Sequence, residues 1–256
     1  MKLEEFDSIK VEEGCAAFLR LNNYTGVAIK HPHMLILIDP DIPPPKRAVN
    51  PCLILISHSH PGHFTPAYIA GLAGKNTRIA TTSGVAYRMR RMRFRFPHNL
   101  TLLQPGEKLE LGDVVVEAHP GFHPYKAVVP GVAERFASIN EGQWGERHLT
   151  FALNLPEFGR VYHMSDSILL SPLRKVGRTE IAVVPVNLEH WNSAERAAEA
   201  VALLQPRKVL ALTSMRGGLL DRWSARRERK RFAEGMKGRG IVAEFLEVGV
   251  PVCWQI

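Results

Sequence analysis

Short apolar runs separated by polar turns occupy the first third of the chain. Residues 14–21, 25–30 and 34–39 are rich in apolar and β-forming side chains, and His31-Pro32-His33 separates the last two runs as a hairpin connection. Leu53–Ile56 is continuously apolar, which is typical of a strand covered on both faces. This part of the chain therefore predicts a series of strands.

Strand and helix patterns alternate through the rest of the chain. Thr65 followed by Pro66 is a start signal for a helix to about Ala73, and Ser193 is a serine cap for a helix to Leu204. Other patterns predict helices at 84–93 and 221–237, strands at 78–82, 114–118, 149–155, 160–164, 181–186 and 208–212, and two terminal strands. Residues 124–147 show no clear periodicity, which indicates a long loop. This order predicts a mixed α/β fold in which two packed sheets are flanked by helices.

Composition adds a broad class to this picture. The 256 residues are 45% hydrophobic and 23% charged, which is typical of a soluble globular protein, and we expect a single domain over residues 1–256. No apolar run approaches the roughly 18 residues that a membrane span needs. Cys15, Cys52 and Cys253 show no CxxC spacing, which argues against disulfides and a thiolate zinc site. The N-terminus has no secretory apolar stretch, so we expect a cytoplasmic protein with no membrane partner.

Positive charge is concentrated in two groups, within a formal net charge of +8. One group is Arg88, Arg90, Arg91, Arg93 and Arg95, and the other is Arg222, Arg226, Arg227, Arg229, Lys230 and Arg231. Such groups are either solvated helix faces or surfaces that attract nucleic acid or acidic substrates. Nucleic acid is therefore one partner that the sequence allows.

Three closely spaced histidines follow the apolar strand Leu53–Ile56, within Ser57-His58-Ser59-His60-Pro61-Gly62-His63. Residues two apart on an extended chain point the same way, so His58 and His60 can share one ligand. The turn at Pro61-Gly62 then directs His63 back towards that point. A single histidine here would be a strand cap, but three at this spacing indicate a metal site, since imidazole is the commonest side-chain ligand of zinc and related metals.

The histidine segment resembles the His-x-His-x-Asp-His signature of the metallo-β-lactamase superfamily. Within residues 14–216, further segments resemble that family's motifs in the same order: Ile38-Asp39-Pro40, residues 116–123, residues 162–167 and residues 208–215. Ile38-Asp39-Pro40 is similar to the Asp-Pro motif that ends an early hairpin in the branch related to ascorbate-6-phosphate lactonase. The resemblance implies an α/β (α+β) fold, the four-layer αββα metallo-β-lactamase sandwich.

The resemblance also implies a set of metal ligands. A first ion would be held by His58, His60 and His123, with His119 as the competing choice for His123. His63 and Asp166 would belong to a second ion, and Asp166 could bridge the two.

Two positions depart from the family's ligand pattern. The aspartate between the histidines is Gly62 here, and the final histidine aligns with Ser214. Glycine provides no ligand, and a serine hydroxyl is a poor one beside imidazole or carboxylate. The sequence therefore predicts one firm ion, which is zinc, manganese or iron, and a second that is weak or absent. Asp166 is then the leading candidate for orienting the attacking water and acting as a base.

The segment Val186-Asn187-Leu188-Glu189-His190-Trp191 follows a buried strand, and such loops line the metal face in this family. Glu189 or His190 is either a substitute ligand or proton carrier, or simply part of a surface loop that opens the next helix. His190 therefore joins Asp166 as a catalytic candidate.

These motifs favour a hydrolase that cleaves an ester-like bond, in a lactone or a phosphodiester, through a metal-bound water. Two alternatives stay open. One is a nucleic-acid-processing hydrolase that uses the basic surface, although the chain lacks the extra domain that nuclease branches of the family commonly insert. The other is a catalytically inactive descendant that binds metal or a ligand, which the two lost ligand positions would fit.

Overall fold

A computed structural model of the chain describes residues 1–91, 99–124, 145–186, 192–213 and 219–255, with only the backbone of residues 123, 124, 145–147, 220 and 221. Within these residues the strands form two seven-stranded sheets. The chain divides into two compact units. Unit 1 comprises Met1–Gln104, Leu155–Phe158 and Leu246–Ile256, and unit 2 comprises Pro105–Asn154 and Gly159–Phe245.

The sheet of unit 1 combines an antiparallel and a parallel part. Its strands, in chain order, are β1 (Cys15–Arg20), β2 (Val27–His31), β3 (Met34–Ile38), β4 (Leu53–Ile56), β5 (Arg78–Thr81), β6 (Leu100–Leu102) and β14 (Pro251–Gln255), and they lie in the order β14-β1-β2-β3-β4-β5-β6. Pairing is antiparallel from β14 to β3 and parallel from β3 to β6. The carboxyl ends of β3 and β4 therefore meet at one edge, with Ile38 opposite Leu55.

Three helices belong to unit 1: α1 (Leu3–Asp7), α2 (Pro66–Leu72) and α3 (Ser83–Arg91). As predicted, α2 begins at Pro66 after Thr65, where the fixed φ of proline suits the first helical position. Ile69 of α2 and Val85 of α3 are fully buried in one apolar cluster with Ile54 and Ile56 of β4. This burial explains the apolar residues on one face of β4, and Leu53 and Leu55 on its other face are also fully buried.

The sheet of unit 2 repeats this mixed arrangement. Its strands are β7 (Lys108–Leu111), β8 (Val114–Pro124), β9 (Gly145–Leu155), β10 (Gly159–His163), β11 (Ile181–Pro185), β12 (Lys208–Leu212) and β13 (Val242–Phe245), and they lie in the order β13-β12-β11-β10-β9-β8-β7. Its helices are a 3₁₀ helix (Ser171–Lys175), α4 (Ala194–Leu204) and α5 (Leu219–Lys237). The Oγ of Ser193 caps α4 by accepting a hydrogen bond from the backbone N–H of Arg196, at 3.3 Å.

The predicted fold class is confirmed: two sheets and helices form a mixed α/β structure that is consistent with the metallo-β-lactamase fold. That the whole chain acts as one domain stays a prediction. One predicted strand is too short, because the strand expected at 114–118 continues as β8 through residues 119–124. They stay extended because β9 pairs with them residue by residue, from His119 opposite Thr150 to Pro124 opposite Gly145.

Four short elements, α1, β6, β7 and the 3₁₀ helix, were not predicted, since segments of three to five residues have no distinct periodicity. Most of the predicted loop at 124–147 lies outside the described residues. Among the helices that are described, none combines the length and the apolar character needed to cross a membrane.

Candidate metal centre

The three histidines that follow β4 are brought together as predicted. His58 is fully buried and His63 is 2% exposed, while His60 is half-buried. The ring centroid of His58 lies 4.8 Å from that of His60 and 4.1 Å from that of His63. A turn through Pro61 and Gly62, closed by the bond from the His63 N–H to the His60 carbonyl at 3.2 Å, returns the chain to His58.

A buried carboxylate, Asp39, organises this loop from the neighbouring strand. Asp39 directly follows β3, is completely buried, and has a positive φ of 47°. Its Oδ1 accepts the backbone N–H of Ser57 at 2.7 Å, and its Oδ2 accepts the hydroxyls of Ser57 at 2.8 Å and Thr25 at 3.0 Å. The Nδ1 of His63 lies 2.9 Å from the same Oδ2.

These contacts determine where each imidazole carries its proton. An ionised carboxylate only accepts hydrogen bonds, so His63 donates to Asp39 from Nδ1. The Ser57 hydroxyl donates to Asp39, so its oxygen accepts from the Nδ1 of His58, at 2.9 Å. In both rings Nδ1 therefore carries the proton, and Nε2 carries the lone pair that a metal ion requires.

This donor set fits a divalent metal ion. Neutral imidazole suits zinc, iron and manganese-type sites, and a carboxylate that binds the far nitrogen of a ligating histidine is the usual outer support of such sites. His58 and His63 share one such support, because Asp39 reaches His63 directly and His58 through Ser57. Within unit 1 the loop is thus built to present imidazole Nε2 atoms rather than to cap a strand.

Gly62, which the resemblance aligns with the family's aspartate, is required by the local backbone. Its φ of 95° is strongly disfavoured for any residue with a side chain, and a Cβ added there would overlap the ring of Tyr24. The turn is held on both sides, because the Gly62 N–H donates to Asp41 Oδ2 at 2.7 Å and its carbonyl accepts from Asn22 Nδ2 at 3.1 Å. The turn therefore packs so closely against the ring of Tyr24 that it has no room for the side chain of an aspartate.

Asp166 lies in unit 2, in the turn that follows β10. Ser165 adopts a positive φ of 51°, and the Asp166 residue is 6% exposed. Two hydrogen bonds tie the turn to Phe122 of β8: the Phe122 N–H donates to Ser167 Oγ at 3.2 Å, and the Ile168 N–H donates to the Phe122 carbonyl at 2.9 Å. The Oδ1 of Asp166 lies 3.5 Å from the Nε2 of His148 in β9.

The two histidines proposed as alternatives in β8 differ in what is described of them. His119 lies 3.7 Å from Glu117 Oε2 and its ring centroid lies 6.0 Å from that of Tyr162. Burial lowers the pKa of His119, although the Glu117 carboxylate opposes this shift. The backbone of His123 pairs with Glu146, and its side chain lies outside the described residues. The choice of His123 as ligand stays a prediction.

Three more sequence-predicted positions, Glu189, His190 and Ser214, lie outside the described residues. Two residues, one in each unit, have roles that the sequence did not predict. Asp39 was noticed only as part of an Asp-Pro motif, which does not show that it bonds to His63 directly and to His58 through Ser57. His148 carried no signal, because its partner in the sheet, Gly121, is identified only by the register of β8 and β9.

Comparison with known families gives a match over most of the chain. A family model described as "Beta-lactamase superfamily domain" matches residues 22–213. A search of curated proteins found no significant match to the sequence.

Solved structures with a similar fold cover nearly the whole chain. Igni18, a metallo hydrolase from the archaeon Ignicoccus hospitalis, is 16% identical with a TM-score of 0.68, over 94% of this chain and 99% of that one. A protein provisionally named a metal-dependent hydrolase, from Parabacteroides distasonis, is 16% identical with a TM-score of 0.66, over 90% and 92%. CmlA, a diiron β-hydroxylase from Streptomyces venezuelae, is 14% identical with a TM-score of 0.65, over 96% of this chain and 55% of that one. At these identities the similarity shows a shared fold alone.

Proposed function

The chain belongs to the β-lactamase superfamily domain family of metal-dependent hydrolases, and from that premise we propose that it hydrolyses an ester-like bond in a lactone or a phosphodiester. The observation that carries this proposal is the Asp39 network. One buried carboxylate orders two histidines so that each offers the lone pair of Nε2 to a metal ion. A loop with a purely structural purpose would not need matched tautomers.

His58, His60 and His63 are the residues of unit 1 that would hold the ion, and the family resemblance adds His123 and Asp166. A bound divalent ion supplies Lewis-acid polarisation of the scissile carbonyl or phosphoryl group and lowers the pKa of a water molecule. Asp39 would hold the Nδ1 proton of His63 directly and that of His58 through Ser57, which leaves both Nε2 atoms available to the ion. Asp166 would accept the proton of the attacking water, and His190 is a further proton carrier in this proposal.

The narrower parts of the proposal concern the substrate and the metal. Similarity of Ile38-Asp39-Pro40 to the ascorbate-6-phosphate lactonase branch supports testing lactones first. The missing aspartate at Gly62 supports one firmly held ion, for which zinc, manganese and iron are the candidates. The name of CmlA supports including iron among the metals tested, since that fold relative is a diiron protein.

Metal reconstitution followed by a substrate screen tests the proposal. The protein would be stripped with chelator, reloaded separately with zinc, manganese or ferrous iron, and assayed on model lactones and bis-p-nitrophenyl phosphate. We expect hydrolysis only after reloading, with loss of activity in His60→Ala. His33→Ala is the matched control, because His33 lies in the β2–β3 hairpin with a side chain 83% exposed.

Two results would contradict the proposal that the protein is a hydrolase. Equal hydrolysis by the wild type and by His60→Ala would show that the activity does not come from this site. Metal binding with no hydrolysis of any substrate would favour the inactive, ligand-binding descendant instead.

A second candidate, a nucleic-acid-processing hydrolase, is favoured by one surface feature. The basic face of α5 exposes Trp223, which is 60% exposed, with the Arg227 guanidinium 5.2 Å from its ring centroid. Arg222, Arg226 and Lys230 are also exposed on this helix. Aromatic rings beside arginines serve as stacking platforms for single-stranded nucleic acid.

Of the other basic group, Arg88, Arg90 and Arg91 are exposed on α3, and Arg88 also hydrogen-bonds to the carbonyl of Ser59 in the histidine loop. Arg93 and Arg95 lie outside the described residues. A salt titration with a generic single-stranded oligonucleotide tests this function. Binding that weakens steeply with salt and is reduced in Trp223→Ala would support it, and no binding at low salt would contradict it.

A further inference from the structure

His148 and Asp166 form a buried imidazole–carboxylate pair in unit 2. Of these two residues, only Asp166 belongs to the set of metal ligands that the sequence analysis named. We propose that His148 Nε2 is a metal ligand and that it binds, together with Asp166, a second divalent ion. This inference rests on the proposed function, because it assumes that the protein is a metal-dependent hydrolase. It goes further by supplying a ligand where the sequence predicted a deficient second site.

The separation of the two side chains matches that of two ligands of one ion. His148 Nε2 and Asp166 Oδ1 are 3.5 Å apart, which is long for a charge-assisted N–H···O hydrogen bond of about 2.8 Å. Two atoms bound at about 2.1 Å from a tetrahedral zinc ion are about 3.4 Å apart. The pair therefore has the spacing of two ligands of one ion and is longer than a charge-assisted hydrogen bond, although an ion pair without an ion between its members also allows this distance.

The position of the His148 ring is prepared by the sheet. His148 lies directly opposite Gly121 in the antiparallel register of β8 and β9. A Cβ on Gly121 would lie 2.5 Å from His148 Nε2 and 2.6 Å from its Cδ2. No residue other than glycine at position 121 leaves room for this ring, and Gly121 has no positive φ that would explain glycine by backbone conformation.

The turn that carries Asp166 is held against the same strand. Phe122, the neighbour of Gly121, exchanges hydrogen bonds with Ser167 and Ile168 on the C-terminal side of Asp166. The His148 side chain is fully buried and that of Asp166 is 8% exposed. Both groups are therefore fixed before any ion binds, and this preorganisation favours binding of the metal.

A buried carboxylate and a buried imidazole also suit the same group of ions. Carboxylate and imidazole together are ligands for zinc, iron and manganese. A four-coordinate ion would have two further positions, which groups other than these two side chains would fill. At this pair, His148 would take the place of the ligand that the family's pattern puts at the position of Ser214.

Zinc content measured by mass spectrometry, after equilibrium dialysis of the stripped protein, tests the assignment. We expect about two equivalents in the wild type and about one in His148→Ala. Gly121→Ala should also bind about one equivalent, because its methyl group takes the place of the His148 ring while leaving every ligand intact. His31→Ala is the matched control, since it removes another buried imidazole, which bonds to the Pro156 carbonyl at 3.0 Å, and it should keep two.

The outcomes separate this inference from the proposed function. No zinc in the wild type would overturn both. Zinc content that is equal in the wild type and in His148→Ala would overturn the role of His148 alone. Should His148→Ala fail to fold, anomalous scattering from zinc-loaded wild-type crystals decides the question: an ion at about 2.1 Å from His148 Nε2 supports the assignment, and one beyond about 3 Å contradicts it.

Discussion

The substitution Asp39→Asn tests the network that orders the histidine loop. It keeps the size of the side chain but replaces the acceptor Oδ2, or Oδ1, by an NH₂ group that only donates. Asp39 accepts from the Ser57 N–H, from the hydroxyls of Ser57 and Thr25, and from His63 Nδ1. An amide nitrogen opposite His63 would require Nδ1 to accept, which moves the ring proton to Nε2 and removes the donor atom for the metal.

The size of the effect follows from the role of Asp39 as an outer support. Loss of such a partner typically weakens metal binding about 10- to 100-fold, which corresponds to about 1.4 to 2.8 kcal/mol. Asp39 supports two of the three histidines, His63 directly and His58 through Ser57. We therefore expect Asp39→Asn to lie near the upper end of this range.

Competition with a chromophoric zinc chelator measures this affinity directly. Asp113→Asn is the matched control, because Asp113 is exposed in the turn between β7 and β8 and should leave the affinity unchanged. Circular dichroism would establish that both variants are folded. A folded Asp39→Asn protein whose zinc affinity lies within about threefold of the wild type would refute the argument from tautomers.

Two further substitutions test other parts of the structure. Gly62→Asp restores the family's residue, yet we expect urea unfolding to show a loss of about 1 to 3 kcal/mol because of the positive φ and the overlap with Tyr24; an equally stable variant would contradict the described turn. Burial would raise the pKa of Glu117, but hydrogen bonds from Arg160 and Lys108 outweigh it and lower the pKa to about 2. Its stabilising contribution is then complete above about pH 4.5 and is lost as the pH falls towards 2, so Glu117→Gln should lose less stability than the wild type over that interval; parallel unfolding curves would count against this ion pair.

The sequence predicted those parts of the site whose residues are adjacent along the chain. His58, His60 and His63 follow one apolar strand, so strand periodicity and a Pro-Gly turn were enough to bring them together. The contacts of Asp39 depend on the parallel register of β3 and β4, which places the residue after Ile38 beside the segment after Ile56. Register between strands that are not joined by a hairpin cannot be derived from periodicity.

The same limit explains the other residues that were missed. The role of His148 can be inferred only from its position opposite Gly121, in the pairing of the long strands β8 and β9. The strand predicted at 114–118 ended too early because Pro120 and Gly121 usually break strands, and here the partner strand β9 overrides that local preference. Gly62 was interpreted from the sequence as a departure from the family's pattern, but the ring of Tyr24 that excludes a side chain there comes from a distant part of the sequence.

The central claim is that the histidine loop after β4 holds a divalent metal ion. The most direct test is the metal content of protein purified without chelators or metal-affinity resin, compared among the wild type, His58→Ala and the exposed control His33→Ala. We expect bound zinc, manganese or iron in the wild type and in His33→Ala, and at least one equivalent less in a folded His58→Ala protein. Folded wild-type protein that contains no metal, and takes up none from excess zinc, manganese or iron, would contradict the claim.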